Sequence, residues 1–134
     1  MKKSIMILLS CLLLAVIVVP QNISAALNFV NIDTIDTTLN YSNLTGYVSV
    51  SVYTLDASAE TSVSARVYVK ATSGRWVEVT PDWATQTATG DFNSFMFSFD
   101  GTHGARYKVD VTITVTIDGY TETATDTVES SCLT

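Results

Sequence analysis

The chain has 134 residues, 7 of them basic and 13 acidic, for a net charge of −6. That balance argues against nucleic acid and anionic membrane surfaces as partners, because both are recognised through clustered positive charge. Two cysteines and one histidine are too few for a zinc site of usual composition, and the sequence gives no reason to expect a cofactor.

The chain starts with the three parts of a secretory signal peptide. Lys2 and Lys3 are the positive start, Ile5 to Val19 is an almost unbroken apolar run, and Ser24-Ala25-Ala26 offers small residues for cleavage after a break at Pro20. The apolar run is 15 residues long, short of the ~20 that a spanning helix needs, so an uncleaved anchor is the weaker alternative. Leu8-Leu9-Ser10-Cys11 resembles a lipoprotein cleavage box, but Leu12-Leu13-Leu14 follows where a polar mature chain should begin. The expectation is therefore a signal peptide over 1–26, cut after Ala26 (or Ala25), and a single secreted domain over 27–134 with no membrane insertion. Without Lys2 and Lys3 the domain keeps five basic and thirteen acidic residues, a charge of −8. Its one cysteine, Cys132, makes either a disulfide-linked dimer or an inert thiol in a frayed tail.

Alternation at period two runs through the rest of the chain and predicts strands. Short ones are expected at Leu27–Ile32 and Thr34–Asn40. Tyr47–Leu55 follows, with Val48, Val50 and Val52 on one side. Thr61–Lys70 sets Val63, Ala65, Val67 and Val69 against Ser64, Arg66, Tyr68 and Lys70. Trp76–Val79 is short. Phe92–Phe99 presents Phe95, Phe97 and Phe99 together. Arg106–Ile117 is the longest, and Tyr120–Val128 closes the series. Ser73-Gly74, Thr80-Pro81-Asp82, Thr89-Gly90-Asp91 and Asp100-Gly101-Thr102-His103-Gly104 are turns or corners. Asp118-Gly119, between two long β runs, predicts a two-residue hairpin turn.

Seven or eight short strands in about 100 residues fit an all-β, two-sheet sandwich of immunoglobulin or fibronectin III type. Tyr107, at the start of the longest strand, resembles the tyrosine corner of such domains. No Cys…Trp…Cys framework of the antibody kind is present. In this architecture Thr61–Lys70, Arg106–Ile117 and Tyr120–Val128 share one sheet.

A two-residue turn at Asp118-Gly119 fixes the register of the last hairpin. Thr116 faces Thr121, Thr114 faces Thr123, Thr112 faces Thr125, and Asp110 faces Thr127. Antiparallel pairing of the neighbouring strand sets Tyr68 and Lys70 beside Arg106 and Lys108. Arg66, Tyr68, Lys70, Arg106 and Lys108 then form one basic and aromatic face, with Arg75 close by. Cations and a tyrosine on a flat sheet suit an anionic polysaccharide or a partner protein. A plainer reading is equally available: threonine favours strands, cross-strand Thr pairs stabilise a sheet, and Arg66 stands where it can pair with Asp110. The threonine columns also resemble the arrays of ice-binding proteins, though they are short and interrupted by charge.

Catalytic motifs are missing. His103 has no Ser or Cys nucleophile motif beside it. Asp33 with Asp36, or Asp82 with Asp91, is placed for calcium, but no D-x-D-x-D-G loop occurs. Glu122 and Asp126 are predicted to face inward and are the candidates for a carboxylate enzyme acting on sugars. Trp76 and Trp83 either line a sugar groove or belong to the core. Asn40-Tyr-Ser and Asn43-Leu-Thr are sequons, relevant only in a eukaryotic host.

The run from Gly104 to Thr127, and Val67 to Val79 upstream, resemble small secreted proteins of Gram-positive bacteria that carry a domain of unknown function. The resemblance implies a secreted β domain and assigns no site residues. The expected function is a secreted, non-catalytic, extracellular or cell-surface binding module. The alternatives are a carboxylate enzyme and a purely structural domain.

Overall fold

Alternating side chains leave a strand on opposite faces, and the molecule uses that rule throughout. A computed structural model describes residues 29–133. The expected signal peptide, its cleavage site and the beginning of the first expected strand lie outside the described residues. Within them the chain forms β1 (Ile32–Ser42), β2 (Thr45–Thr54), β3 (Glu60–Lys70), β4 (Trp76–Glu78), β5 (Gln86–Thr89), β6 (Phe92–Asp100), β7 (Arg106–Ile117) and β8 (Tyr120–Ser131). All pairings are antiparallel. One sheet has the order β1-β2-β6, and the larger has the order β4-β3-β7-β8 with β5 also on β3.

The inward sets from both sheets meet in one core. Val48, Val50, Val52, Phe95, Phe97 and Phe99 come from the smaller sheet; Val63, Val67, Val109, Val111, Ile113 and Val115 come from the larger. Each fully buried side chain of this kind stabilises the fold by about 1.5–3 kcal/mol.

The closing hairpin has the expected register, residue for residue, from Ile117 opposite Tyr120 to Asp110 opposite Thr127. Asp118 and Gly119 have φ of 50° and 80°, the doubly positive pattern of a type I′ turn. Asn43 and Leu44 make a second such turn between β1 and β2, at φ 48° and 66°. Leucine is costly in that conformation, and the Leu44 carbonyl is held by the Gly101 amide at 2.7 Å.

Three departures from expectation have local causes. Leu27–Ile32 and Thr34–Asn40 are not two described strands; β1 runs through Ile32–Ser42 with an irregularity between Ile32 and Thr34. β5 was not expected, because Gln86-Thr-Ala-Thr89 turns only Ala88 toward the core. The edge beside β3 is split into β4 and β5 because Pro81 has no amide to pair. Thr80 covers the gap: its hydroxyl accepts from the Val67 amide at 3.0 Å, and the Val79 amide donates to the Val67 carbonyl at 2.8 Å.

At the other corner the Tyr107 hydroxyl, in a buried residue, accepts from the Thr102 amide at 2.9 Å. This is the backbone bond expected of a tyrosine corner. Cys132 is fully buried beside it, which corrects the expectation of a frayed tail. Its amide donates to the Ala105 carbonyl at 2.9 Å, and its carbonyl accepts from the Gly104 amide at 2.6 Å. A Cβ on Gly101 would stand 2.8 Å from the Leu44 carbonyl oxygen and 3.1 Å from the Cys132 sulfur, so this approach requires glycine. A disulfide to a second copy would first require Cys132 to leave this seat. Burial, then the neighbouring Cys132 and Tyr107, push the Tyr41 hydroxyl well above the usual tyrosine range.

Candidate functional site

The outward residues of β3, β4, β7 and β8 make one continuous face, because antiparallel neighbours in register put equivalent side chains on the same side. Tyr68 lies opposite Glu78 on one flank and Lys108 on the other, and Arg66 lies opposite Asp110. Trp76 lies opposite Lys70. Together Arg66, Tyr68, Lys70, Arg106 and Lys108 share the face that the sequence predicts, and Trp76 joins them.

The five residues are not equivalent. The Lys108 ammonium sits 4.7 Å from the Tyr68 ring centroid and 5.4 Å from that of Trp76. It also pairs with Asp110 at 3.5 Å, its side chain 22% exposed. Arg106 pairs with Glu129 at 2.9 Å. Both cations therefore already have a counter-charge on the face. Lys70 stands 5.7 Å from the Trp76 ring and is exposed, as are Arg66 and Arg75. Among the described residues none of these three has a carboxylate at ion-pair distance. The expected pairing of Arg66 with Asp110 is a register neighbour only; the Asp110 carboxylate instead accepts from the Thr127 hydroxyl at 2.9 Å and pairs with Lys108. On this register the cations without an ion pair among the described residues are thus Arg66 and Lys70, beside Tyr68 and Trp76, and Glu78, opposite Tyr68, has none either.

Apart from Glu60, opposite Thr89 and Thr116, the rest of the face is hydroxyl. Ser62 lies between Thr87 and Thr114, and Thr114 faces Thr123; Ser64 lies beside Thr112, and Thr112 faces Thr125. Hydroxyl pairs join Ser62 with Thr87 at 3.2 Å, Thr114 with Thr123 at 3.4 Å, and Thr116 with Thr121 at 2.9 Å. The sequence shows only the two columns of the hairpin. Widening to β3 and β5 depends on strand pairing, and β5 carries no strong sequence signal.

The inward candidates have a different occupation. Glu122 is buried at 9% exposure, and its two carboxylate oxygens accept from the Val30 and Asn31 amides at 2.7 and 2.8 Å. It fastens the segment before β1 to β8. Asp126, four residues on, accepts from the Thr127 amide, so the two carboxylates share no partner. Trp83 packs into the core: its ring is 5.2 Å from Phe97, and its indole N–H donates to the Ser98 carbonyl at 3.0 Å. Among the described residues no three His, Cys, Asp or Glu side chains converge as a metal site requires. A groove of about 410 Å3 opens between the sheets beside Val69, Val79, Pro81, Phe99 and Tyr107, with Asp100 as its one charged lining residue.

No family model matches the chain, and no curated protein sequence matches it.

Proposed function

We propose that this chain is a secreted, non-catalytic binding module: a β-sandwich that meets an extracellular or cell-surface partner through the outer face of its larger sheet. The three-plus-five strand arrangement, the tyrosine corner and the shared β3-β7-β8 sheet support a fibronectin III-like reading of the fold. The observation that carries the function is the pair of rings Tyr68 and Trp76 on one register with Arg66 and Lys70, two exposed cations that have no ion pair among the described residues, beside Glu78. The enzyme alternative is the weaker one, because both oxygens of Glu122 already hold backbone amides.

The test uses the purified full chain on panels of extracellular polymers and surface proteins. Trp76→Ala with Tyr68→Ala should abolish whatever retention is found. Tyr47→Ala with Tyr53→Ala, on the outer face of the smaller sheet, should leave it unchanged. The opposite pattern would move the binding surface to the smaller sheet and overturn this assignment.

A further inference from the structure

Among the described residues the two sheets have four edges, and these are protected unequally. A strand edge is a template for a second chain unless charge, proline, a bulge or short length blunts it. β1 is irregular between Ile32 and Thr34 and carries Asp33 and Asp36. β8 sets Glu122 and Asp126 opposite the inward-facing Val115 and Val111. β4 and β5 have three and four residues and are parted by Pro81. β6, the remaining edge, is nine residues long and holds four phenylalanines and a methionine. Residues 92–99 carry no charge, proline or glycine, which is the composition of a self-pairing strand.

Backbone bonds identify the open side of β6. The Asp91 carbonyl accepts from the Thr54 amide and the Gly101 amide donates to the Leu44 carbonyl, so odd-numbered residues turn their backbone groups toward β2. Those groups alternate in direction along a strand, and Ser94, Met96 and Ser98 turn theirs to the open side. Two of these carbonyls are answered by side chains. The Gln86 amide donates to the Met96 carbonyl at 2.8 Å, and the Trp83 indole N–H donates to the Ser98 carbonyl at 3.0 Å. Gln86 lies on β5 of the other sheet, opposite the buried Val63. A glutamine at an inward register position is unusual, and the β6 edge is what it bonds.

We propose that β6 is a latent pairing edge for a second copy of this chain, and that Gln86 and Trp83 keep it closed. A two-fold axis at Met96 sets β6 antiparallel to its own copy, Met96 opposite Met96 and Ser94 opposite Ser98. Phenylalanines then share one face of the joined sheet, and Ser and Met share the other. β6 is thus complementary to itself, as an isologous contact requires. The two side chains occupy acceptors that this ladder needs. The edge is separate from the outer face of the larger sheet, and the inference does not rest on that face.

Sedimentation and backbone hydrogen exchange of the purified full chain test this, with wild type compared against Gln86→Leu combined with Trp83→Phe. The variant keeps an apolar side chain at each place and loses both N–H donors. Its association constant should rise at least about tenfold over wild type, and the Ser94, Met96 and Ser98 amides should exchange more slowly as concentration rises. Adding Met96→Lys opposes two ammonium groups across the axis and should return the constant to the wild-type value. A double variant no more associated than wild type overturns the proposal. Association that Met96→Lys leaves intact, or that slows exchange elsewhere and not in β6, overturns the edge as the contact. Gln86→Leu alone leaves Trp83 in place and should raise the constant by about threefold. An unchanged constant in that variant overturns the proposal even where the double variant does not fold.

Discussion

The polar side chains that face into this molecule and those that face out from its larger sheet differ in what answers them. Inside, Glu122 receives the Val30 and Asn31 amides, Tyr107 receives the Thr102 amide, and Trp83 gives its N–H to the Ser98 carbonyl. Each meets a backbone group that has no strand partner of its own at that point. Outside, Lys108 and Arg106 meet carboxylates, while among the described residues Arg66 and Lys70 meet none. A buried polar group without a partner costs about 1–3 kcal/mol, and among the described residues only the Thr37 hydroxyl is a buried side-chain polar atom left without one. An exposed cation loses almost nothing by waiting for a ligand. Polar groups that hold the fold and polar groups left to solvent are thereby separated onto opposite sides of the same strands.

That separation makes four measurable statements about chemical denaturation. Trp83→Ala should cost the most, about 3 kcal/mol, since it removes ring packing on Phe97 as well as a hydrogen bond. Glu122→Gln should cost about 2 kcal/mol, because an amide keeps the shape but offers one acceptor oxygen to two N–H donors. A midpoint for Glu122→Gln equal to wild type would sink the clamp. Tyr107→Phe keeps the ring and loses only the Thr102 bond, and should cost about 1 kcal/mol. Replacing Arg66, Lys70 and Arg75 by Gln should change stability by no more than about 0.5 kcal/mol. A larger loss would mean that the outward cations belong to the fold, and the contrast would collapse.

Much of this was readable in the sequence, and the reason differs by element. The inward sets of β2, β3, β6 and β7 follow from alternation alone, and Asp118-Gly119 fixes the register of β7 on β8. Antiparallel pairing of β3 on β7 then sets Tyr68 beside Lys108. Charge partners were less legible: Arg66 and Asp110 are register neighbours, yet Asp110 pairs with Lys108, two residues along its own strand. The two tryptophans flank the Thr80-Pro81-Asp82 turn in the sequence, but only pairing shows Trp76 beside Lys70 on the outside and Trp83 against Phe97 within. Glu122 was readable as inward-facing. Its partners were not, because they are backbone amides that any residues at 30 and 31 would supply. β5 escaped because one inward alanine among four residues makes no pattern.

The Glu122 clamp also has a kinetic side. It joins residues 92 and 91 positions apart in the chain, so it forms only after β8 has zipped onto β7 and the two layers have come together. Bonds of that span contribute little to a folding transition state dominated by earlier, more local pairings and act mainly on the rate of escape from the native state. One buried carboxylate then works as a late lock, setting how long a finished molecule stays closed rather than how fast it is made.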